Sequence, residues 1–235
     1  MTIGPCDALF FGPHPDDVEI AASGTILRLL EAGRRVAIVD VTAGEKGSRG
    51  TAATRAQEAS AAQKALGIEQ RHNLGLPDAG LVPDEATVKL LVEALRKARP
   101  QLLFAPAERD VHPDHTAVSQ ASGRAFFLAG LSNFAPELGA AHRPRLLVRY
   151  PGNLPTEVSF AVDISEHVER KAKVLSCYQS QLAPQDRSHL YSGLDILERA
   201  QLRDQFYGAQ INCAAAEPFL VDGPLPLRDL APLMV

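Results

Sequence analysis

Two short stretches hold most of the residues able to do chemistry. The first, Pro13-His14-Pro15-Asp16-Asp17-Val18-Glu19, sets an imidazole beside two adjacent carboxylates, with a third two positions on. Neighbouring carboxylates repel, and the arrangement becomes cheap when a cation sits between them. A divalent metal is the economical cation. The second stretch, Glu108-Arg109-Asp110-Val111-His112-Pro113-Asp114-His115, repeats the His-Pro-Asp pattern far downstream. A lone His-Pro-Asp is ordinarily a solvated turn. Two copies that each follow a buried strand make a site the better reading. Taken as a zinc site, the ligands are His14, Asp17 and His115. Three nitrogen or oxygen ligands leave one position open, the pattern of a catalytic zinc. The same donor set tolerates Fe2+ or Mn2+.

The elements that must position these residues are legible as apolar runs. Asp7–Phe11 (Ala8-Leu9-Phe10-Phe11) stops at Gly12-Pro13, and 101–106 (Leu102-Leu103-Phe104-Ala105-Pro106) precedes the second motif. Such runs are buried parallel strands. Between them the pattern predicts a helix over 20–32 closed by Gly33, and a strand over 35–42. A helix follows over 51–66, capped by Thr51 or Thr54 and ended by Gly67. A short strand over 71–76 and a helix from Asp84 to Arg99 complete the first half. The β-α-β order favours parallel right-handed crossovers, so both motifs emerge at the carboxyl edge of one sheet. Beyond the second motif, a helix starting near His115 fades at Gly130, and residues 131–144 read as loop. Strands are expected over 145–150 and 158–164, then a helix capped by Ser165 and reaching Tyr178. Residues 183–192 are polar and broken by proline. A last helix over 194–206 ends at Gly208, and Phe219-Leu220-Val221 is expected as an edge strand. The fold class is α/β: a Rossmann-like three-layer αβα sandwich on a mostly parallel sheet. Residues 1–235 form one domain, with 131–235 a C-terminal elaboration of it.

Composition narrows the function. A chain of 235 residues is long enough to bury about 70% of its unfolded surface. Its net charge of −4 leaves no electrostatic footprint for nucleic acid. No apolar run approaches the ~18 residues of a membrane span, and no secretory leader is visible. Cys6, Cys177 and Cys213 are odd in number and far apart, as expected of free thiols in a reducing cytoplasm. Ala43–Gly50 carries three glycines with Glu45, Lys46 and Arg49, but fails the P-loop pattern. It reads as a rim of the pocket or, equally, as a plain solvated loop. His72, His142, His167 and His189 are read as structural or surface residues.

The two motifs make the chain resemble the PIG-L/LmbE-like zinc-dependent N-deacetylases, whose signatures are a His-Pro-Asp-Asp-x-Glu stretch and a downstream His-x-x-His. Within that family it resembles most the bacillithiol-biosynthesis branch, which removes acetyl from N-acetylglucosaminyl-malate. The matching stretches are Gly44–Gly50, Thr54-Arg55-x-x-Glu58, Asn73–Asp78, Tyr207–Ile211 and Glu217-Pro218-Phe219. The resemblance implies an N-acetyl-amino-sugar substrate and a homo-oligomer, a hexamer among close relatives. It implies Asp16 as general base, since adjacent side chains diverge and Asp17 takes the metal. His112 would be protonated and face the oxyanion or pass a proton to the amine, with Asp114 bonded to it and keeping it charged. Arg55 matches an arginine of the family's substrate pocket and would bind the malate carboxylate bidentately. Arg109, Glu45 and Tyr191 complete the candidate substrate-binding set.

Three rival readings stay open. One is another amidase of the same family, acting on mycothiol precursors, chito-oligosaccharides or thiol S-conjugates. A second keeps the ligands and changes the chemistry, because two His and one Asp also make the facial triad of iron oxygenases, where Asp16 has no role. The third is a non-catalytic binding protein on a Rossmann-like frame.

Overall fold

The computed structural model describes residues 3–182 and 194–225. Along the chain the elements are β1 (Ala8–Gly12), α1 (Asp17–Glu31), β2 (Val36–Thr42), α2 (Ala52–Leu66), β3 (Gln70–Leu76), α3 (Glu85–Ala98), β4 (Leu102–Pro106), α4 (Pro113–Leu128), β5 (Leu146–Tyr150), β6 (Phe160–Asp163), α5 (Val168–Leu175), α6 (Ile196–Gln210) and β7 (Ala216–Val221). The strands lie in the order β3-β2-β1-β4-β5-β7-β6. The first five are parallel, and β7 runs antiparallel to both β5 and β6. Alternate residues of each strand feed opposite faces. Leu9 and Phe11 join Val39, Leu91, Leu95 and Val118 under α3 and α4. Phe10 joins Ile26, Ile38, Leu66 and Tyr178 under α1, α2 and α5. Helices therefore cover both faces, the three-layer arrangement expected. Among the described residues no helix is long and apolar enough to cross a membrane.

This strand order has its reversal between β1 and β4, which pair directly (Ala8 with Leu102, Phe10 with Phe104). The stacked rings of Phe10 and Phe104, 4.1 Å between centroids, fix the pair side by side. A crevice opens where chain connections leave in opposite directions from neighbouring strands. The loops after β1 and β4 carry the two motifs into it.

Several boundaries differ from the sequence reading, each for a tertiary reason. β7 is not an edge strand: it is inserted between β5 and β6, and β6 is the edge. Gly208 does not end α6, which runs on to Gln210. A Cβ there would stand 2.7 Å from the Ala215 nitrogen, so the glycine serves close packing against the chain entering β7. Ser165 does not cap a helix. Its hydroxyl donates to Asp163 (2.6 Å) and accepts from the Ala214 and Ala215 N–H groups, and a single 3-10 turn precedes a shorter α5 that ends at Leu175. The unplaced section after α4 is held by the buried Arg96, which donates to the carbonyls of Ala129, Leu131, Phe134 and Ala135. The stretch around residues 183–192 lies outside the described residues.

α1 is broken at Ala22 (φ −146°), and the restarted helix is capped from far away. Glu217 of β7 accepts from Gly24 N (2.9 Å) and Thr25 N (2.7 Å). The same carboxylate pairs with Lys171 of α5 (2.7 Å), which also meets Asp204 of α6 (2.6 Å). All three side chains are nearly inaccessible. This lock ties α5, α6 and β7 to the helix whose first turn carries Asp17.

Candidate metal centre

The first motif is aimed by the end of β1. Gly12 approaches Val18 so closely that a Cβ would come within 2.9 Å of it. The Pro13 carbonyl then accepts from both the backbone N–H (3.0 Å) and the hydroxyl (2.9 Å) of Thr42 at the end of β2. With that loop pinned, Asp16 occupies the position before α1 at φ +116°, a conformation unfavourable for a side chain other than glycine. Such strain persists only where the surroundings over-determine it. Asp17 begins the helix and accepts from the His14 backbone N–H (2.9 Å). In the second loop Asp110 Oδ1 accepts from the His112 N–H (2.8 Å), which shapes the turn into α4. Pro113 sits in the first helical turn, where its missing N–H costs nothing.

These two loops bring three donor atoms together. His14 Nδ1 lies 3.0 Å and His115 Nε2 3.2 Å from the same oxygen, Asp17 Oδ2. The other nitrogen of each ring is also held by carboxylate. His14 Nε2 faces Asp78 (3.0 Å) and Asp114 (3.3 Å), while His115 Nδ1 faces Asp110 (3.1 Å). Burial works against a charged His14, but the bonds to Asp114, Asp17 and Asp78 outweigh it and hold the imidazolium up to about 12. Burial likewise opposes a charged His115, and Asp17 and Asp110 raise it to about 9. Without a metal the chain must therefore keep two imidazolium ions inside an acidic cage. Two neutral imidazoles and one carboxylate around a divalent cation satisfy the same cage, with each ligand ring oriented by a carboxylate behind it. The residues fit a metal. His14, Asp78 and Asp114 also cluster within 4.8 Å. That group is already filled by backbone donors, Lys46 N on Asp78 and Ala79 N and Leu81 N on Asp114, so it serves as support.

Asp16 lies beside the cluster and pairs with Arg55 (Nη2 to Oδ2, 3.2 Å), both groups being buried. Burial pushes the Asp16 carboxyl up to about 7, with Arg55 restraining the rise. Arg55 also donates to the Pro15 carbonyl and packs over Gly44, where φ is +65° and a Cβ would come within 2.9 Å of its guanidinium. The carboxylate that Arg55 meets is thus Asp16, and Arg55, buried, is not open to a substrate carboxylate. Glu45, expected to meet substrate, instead accepts from the Asp78 N–H (2.9 Å) and so braces the carboxylate behind His14. Arg109 is exposed, and Tyr191 lies outside the described residues.

His112 and Asp114 also depart from expectation. The Asp114 carboxylate turns to His14 and to Ala79 and Leu81, not to His112. His112 Nδ1 accepts from the Asp114 backbone N–H (3.2 Å), which leaves Nε2 to carry the proton. Burial and the neighbouring His14 and His115 lower its pKa, so it is a neutral imidazole. Its ring stands edge-on to His14 at 4.7 Å.

A cavity of about 440 Å3 opens from Asp17 and His115. Its far wall is α6, with Arg199, Arg203, Phe206 and Tyr207, and its floor includes Gly152 and Asn153 after β5. Arg55, Arg109 and Glu45 are not among its lining residues. Sequence reasoning missed Asp78, Asp110 and this wall. Asp78 follows a strand at the same sheet edge and Asp110 stands two residues before His112, so both had a positional signal. The contribution of α6 depends on tertiary packing alone.

Below the site, Arg71 binds Asp40 through two bonds (2.7 and 2.8 Å) and also reaches Glu19, which accepts from Tyr178 OH (2.6 Å). The third carboxylate of the first motif is therefore part of a buried network and not a ligand.

Comparison with known proteins bears on this geometry. The model of the family described as PIG-L: GlcNAc-PI de-N-acetylase matches residues 9–126, a span that holds every residue of the cluster. The conserved protein TT1542 from Thermus thermophilus superposes with a TM-score of 0.84 at 36% identity, over 96% of this chain and 98% of that one. A diacetylchitobiose deacetylase from Thermococcus kodakarensis is 29% identical over 185 residues, 74% of this chain and 69% of its own. A 1D-myo-inositol 2-acetamido-2-deoxy-alpha-D-glucopyranoside deacetylase from Kineococcus radiotolerans is 29% identical over 166 residues. That alignment spans 53% of this chain and about half of the relative's length (46%).

Proposed function

This chain belongs to the PIG-L (GlcNAc-PI de-N-acetylase) family, and on that premise we propose that it is a metal-dependent hydrolase removing acetyl from an N-acetylglucosamine-type substrate. The observation that carries the reading is the convergence of His14 and His115 on one Asp17 oxygen, with Asp16 beside it and a cavity opening from it. A divalent ion held by His14, Asp17 and His115, zinc in the first instance, would polarise the amide carbonyl and acidify a bound water. Asp16, its carboxyl near neutrality, takes a proton from the attacking water as the new C–O bond forms. The C–N bond then breaks, and that proton passes to the leaving nitrogen, giving free amine and acetate. His112 is assigned to the oxyanion, to which its Nε2–H would donate. Asp114 acts one step back by orienting His14.

The finer reading is N-acetylglucosaminyl-malate, the substrate of bacillithiol biosynthesis. It is supported by the branch-like stretches at 44–50, 73–78 and 207–211 and by the cationic character of the cavity wall, where Arg203, paired with Asp204, and Arg199, bonded to Asn153, both line the space. A second reading, a chitobiose or inositol glycoside, is supported by the two named relatives and by the rings of Phe206 and Tyr207 on the same wall, which suit a sugar face.

The test is to load the protein with Zn2+ and follow free amine from N-acetylglucosaminyl-malate, diacetylchitobiose and N-acetylglucosamine in parallel. Turnover abolished by a chelator and restored by metal is the expected result. A clear preference for the malate conjugate supports the finer reading, and preference for diacetylchitobiose replaces it. Bound metal with no amine from any of the three overturns the substrate class, and no bound metal overturns the centre itself.

A further inference from the structure

The metal ligand His115 is held from behind by a chain of residues that begins in the cavity wall. Asp110 accepts from His115 Nδ1 through Oδ2 (3.1 Å), which fixes the ring with Nε2 toward Asp17. Asp110 is itself fixed by Asn153, through the backbone N–H to Oδ2 (2.8 Å) and the side-chain amide to Oδ1 (2.9 Å). Asn153 Oδ1 in turn accepts from Arg199 Nη2 of α6 (2.9 Å), which sets the amide orientation. Both Asn153 and Arg199 line the cavity. The adjacent Gly152 leaves no space for slack, since a Cβ there would run into the Asp110 carboxylate and stand 2.9 Å from His115 Nδ1.

Each bond in this chain has one donor and one acceptor in the right sense. Arg199 can only donate, so Asn153 must present its oxygen to Arg199 and its NH2 to Asp110. Asp110, accepting from Asn153 and from His112 N on Oδ1 and from Asn153 N on Oδ2, has Oδ2 aimed at His115. These bonds, with His115, hold the Asp110 carboxyl well below the usual range despite its burial. We propose that Asn153 and Arg199 are positioning residues of the metal centre, which set His115 through Asp110 and make the α6 wall of the substrate cavity and the ligand one mechanical unit. The inference rests on the metal centre proposed above, but not on the identity of the substrate.

Partners behind a ligating histidine typically contribute about 10- to 100-fold to metal affinity. The experiment strips the protein of metal and titrates it with Co2+, recording both the dissociation constant and the visible bands, with zinc affinity from competition. In Asn153→Ala the backbone bond to Asp110 remains and the side-chain bond is lost. Metal affinity is expected to fall about 10-fold or more, with shifted Co2+ bands. Arg199→Ala, which leaves Asn153 and Asp110 in place, should give a smaller loss in the same direction, and Arg199→Lys should recover part of it. The thermal midpoint of the metal-free proteins separates a merely structural role, which lowers the midpoint and leaves affinity and bands alone. Affinities matching wild type and unchanged bands in Asn153→Ala overturn the proposal. If that variant does not fold, the same outcome in Arg199→Ala overturns it. Wild type that binds no Co2+ or Zn2+ overturns the centre first, before any variant is compared.

Discussion

Replacing Arg55 by methionine should move the pH dependence of the reaction, not the affinity for an anionic substrate. Arg55 Nη2 stands 3.2 Å from Asp16 Oδ2, with both groups buried. At an effective dielectric of ~20, two unit charges at that separation attract by about 5 kcal/mol, or nearly 4 pK units as a ceiling. Observed effects of one opposite charge on a carboxyl run at about 1–3 units. Asp16 already sits at about 7, because burial outweighs the arginine's pull. A general base works deprotonated, so activity rises as pH climbs through its pKa. Removing the cation raises that pKa, and the acidic limb of kcat must shift to higher pH by about 1–3 units. A bound divalent ion lowers Asp16 in both proteins, so the difference between them survives metal loading. Well below both pKa values the variant should then lose about 10- to 1,000-fold, with the deficit shrinking as pH rises and closing at alkaline pH. Methionine keeps an unbranched stem and its contact near Gly50, and recovery at high pH distinguishes titration from misfolding. The assay is amine release across about pH 5–10 at saturating substrate. An unmoved limb, with a raised KM for a carboxylate-bearing substrate alone, would refute the reasoning and restore Arg55 as a substrate clamp.

Asp16→Asn should lower kcat by at least ~10²-fold while metal content, read by elemental analysis, stays near one per chain; parallel loss of metal and activity would mean that Asp16 is a ligand. Gly152→Ala would push a methyl group into Asp110 and against His115 Nδ1, so metal affinity should fall at least as far as in Asn153→Ala, and a normal Co2+ titration would show that the loop moves aside freely. Metal uptake should also release protons: His14 is raised to about 12 and His115 to about 9 in the metal-free chain, so both are charged at pH 7 and must lose a proton to ligate. Calorimetry in buffers of different ionisation heat should count about two protons per ion at about pH 8, with up to about one more from Asp16 toward about pH 6, whereas none released would place the metal elsewhere.

Much of the centre was legible because its signals are local. β1 and β4 are buried on both faces and so read as continuous apolar runs, and a turn packed with an imidazole and adjacent carboxylates marks the place where the histidines and acids converge. The relation between the two motifs followed from topology, since parallel strands deliver their following loops to one edge. What escaped depends on contacts that sequence separation hides. Asp114 is adjacent to His115 and two residues from His112, yet its carboxylate bonds to His14, a hundred positions away. Arg55 was read as a clamp in the substrate pocket because nothing local shows that Gly44 and Pro15 close over it. β7 was read as an edge because the strand that covers it, β6, lies more than fifty residues earlier in the chain. Gly208 was read as a stop signal, although its function is the absence of a side chain where β7 enters.

The buried ionic networks away from the candidate metal centre have a common physical purpose. The site concentrates cost: Asp16 is held at φ +116°, three carboxylates stand behind two histidines, and Asp17 begins a helix that breaks at Ala22. A helix broken one turn after its functional residue would let that residue drift, unless both pieces were fixed independently. Glu217 caps the second piece, itself held by Lys171 and thereby tied to α5 and α6. The first piece is fixed by Glu19, which locks to Arg71 and Tyr178 under the sheet edge. Buried ion pairs contribute little net stability compared with apolar packing, but removing one partner strands the other at several kcal/mol. That asymmetry suits a catalytic helix. The pairs are worth keeping here for the single geometry they permit, in which Asp16 and Asp17 diverge, one toward Arg55 and the other toward the two imidazoles.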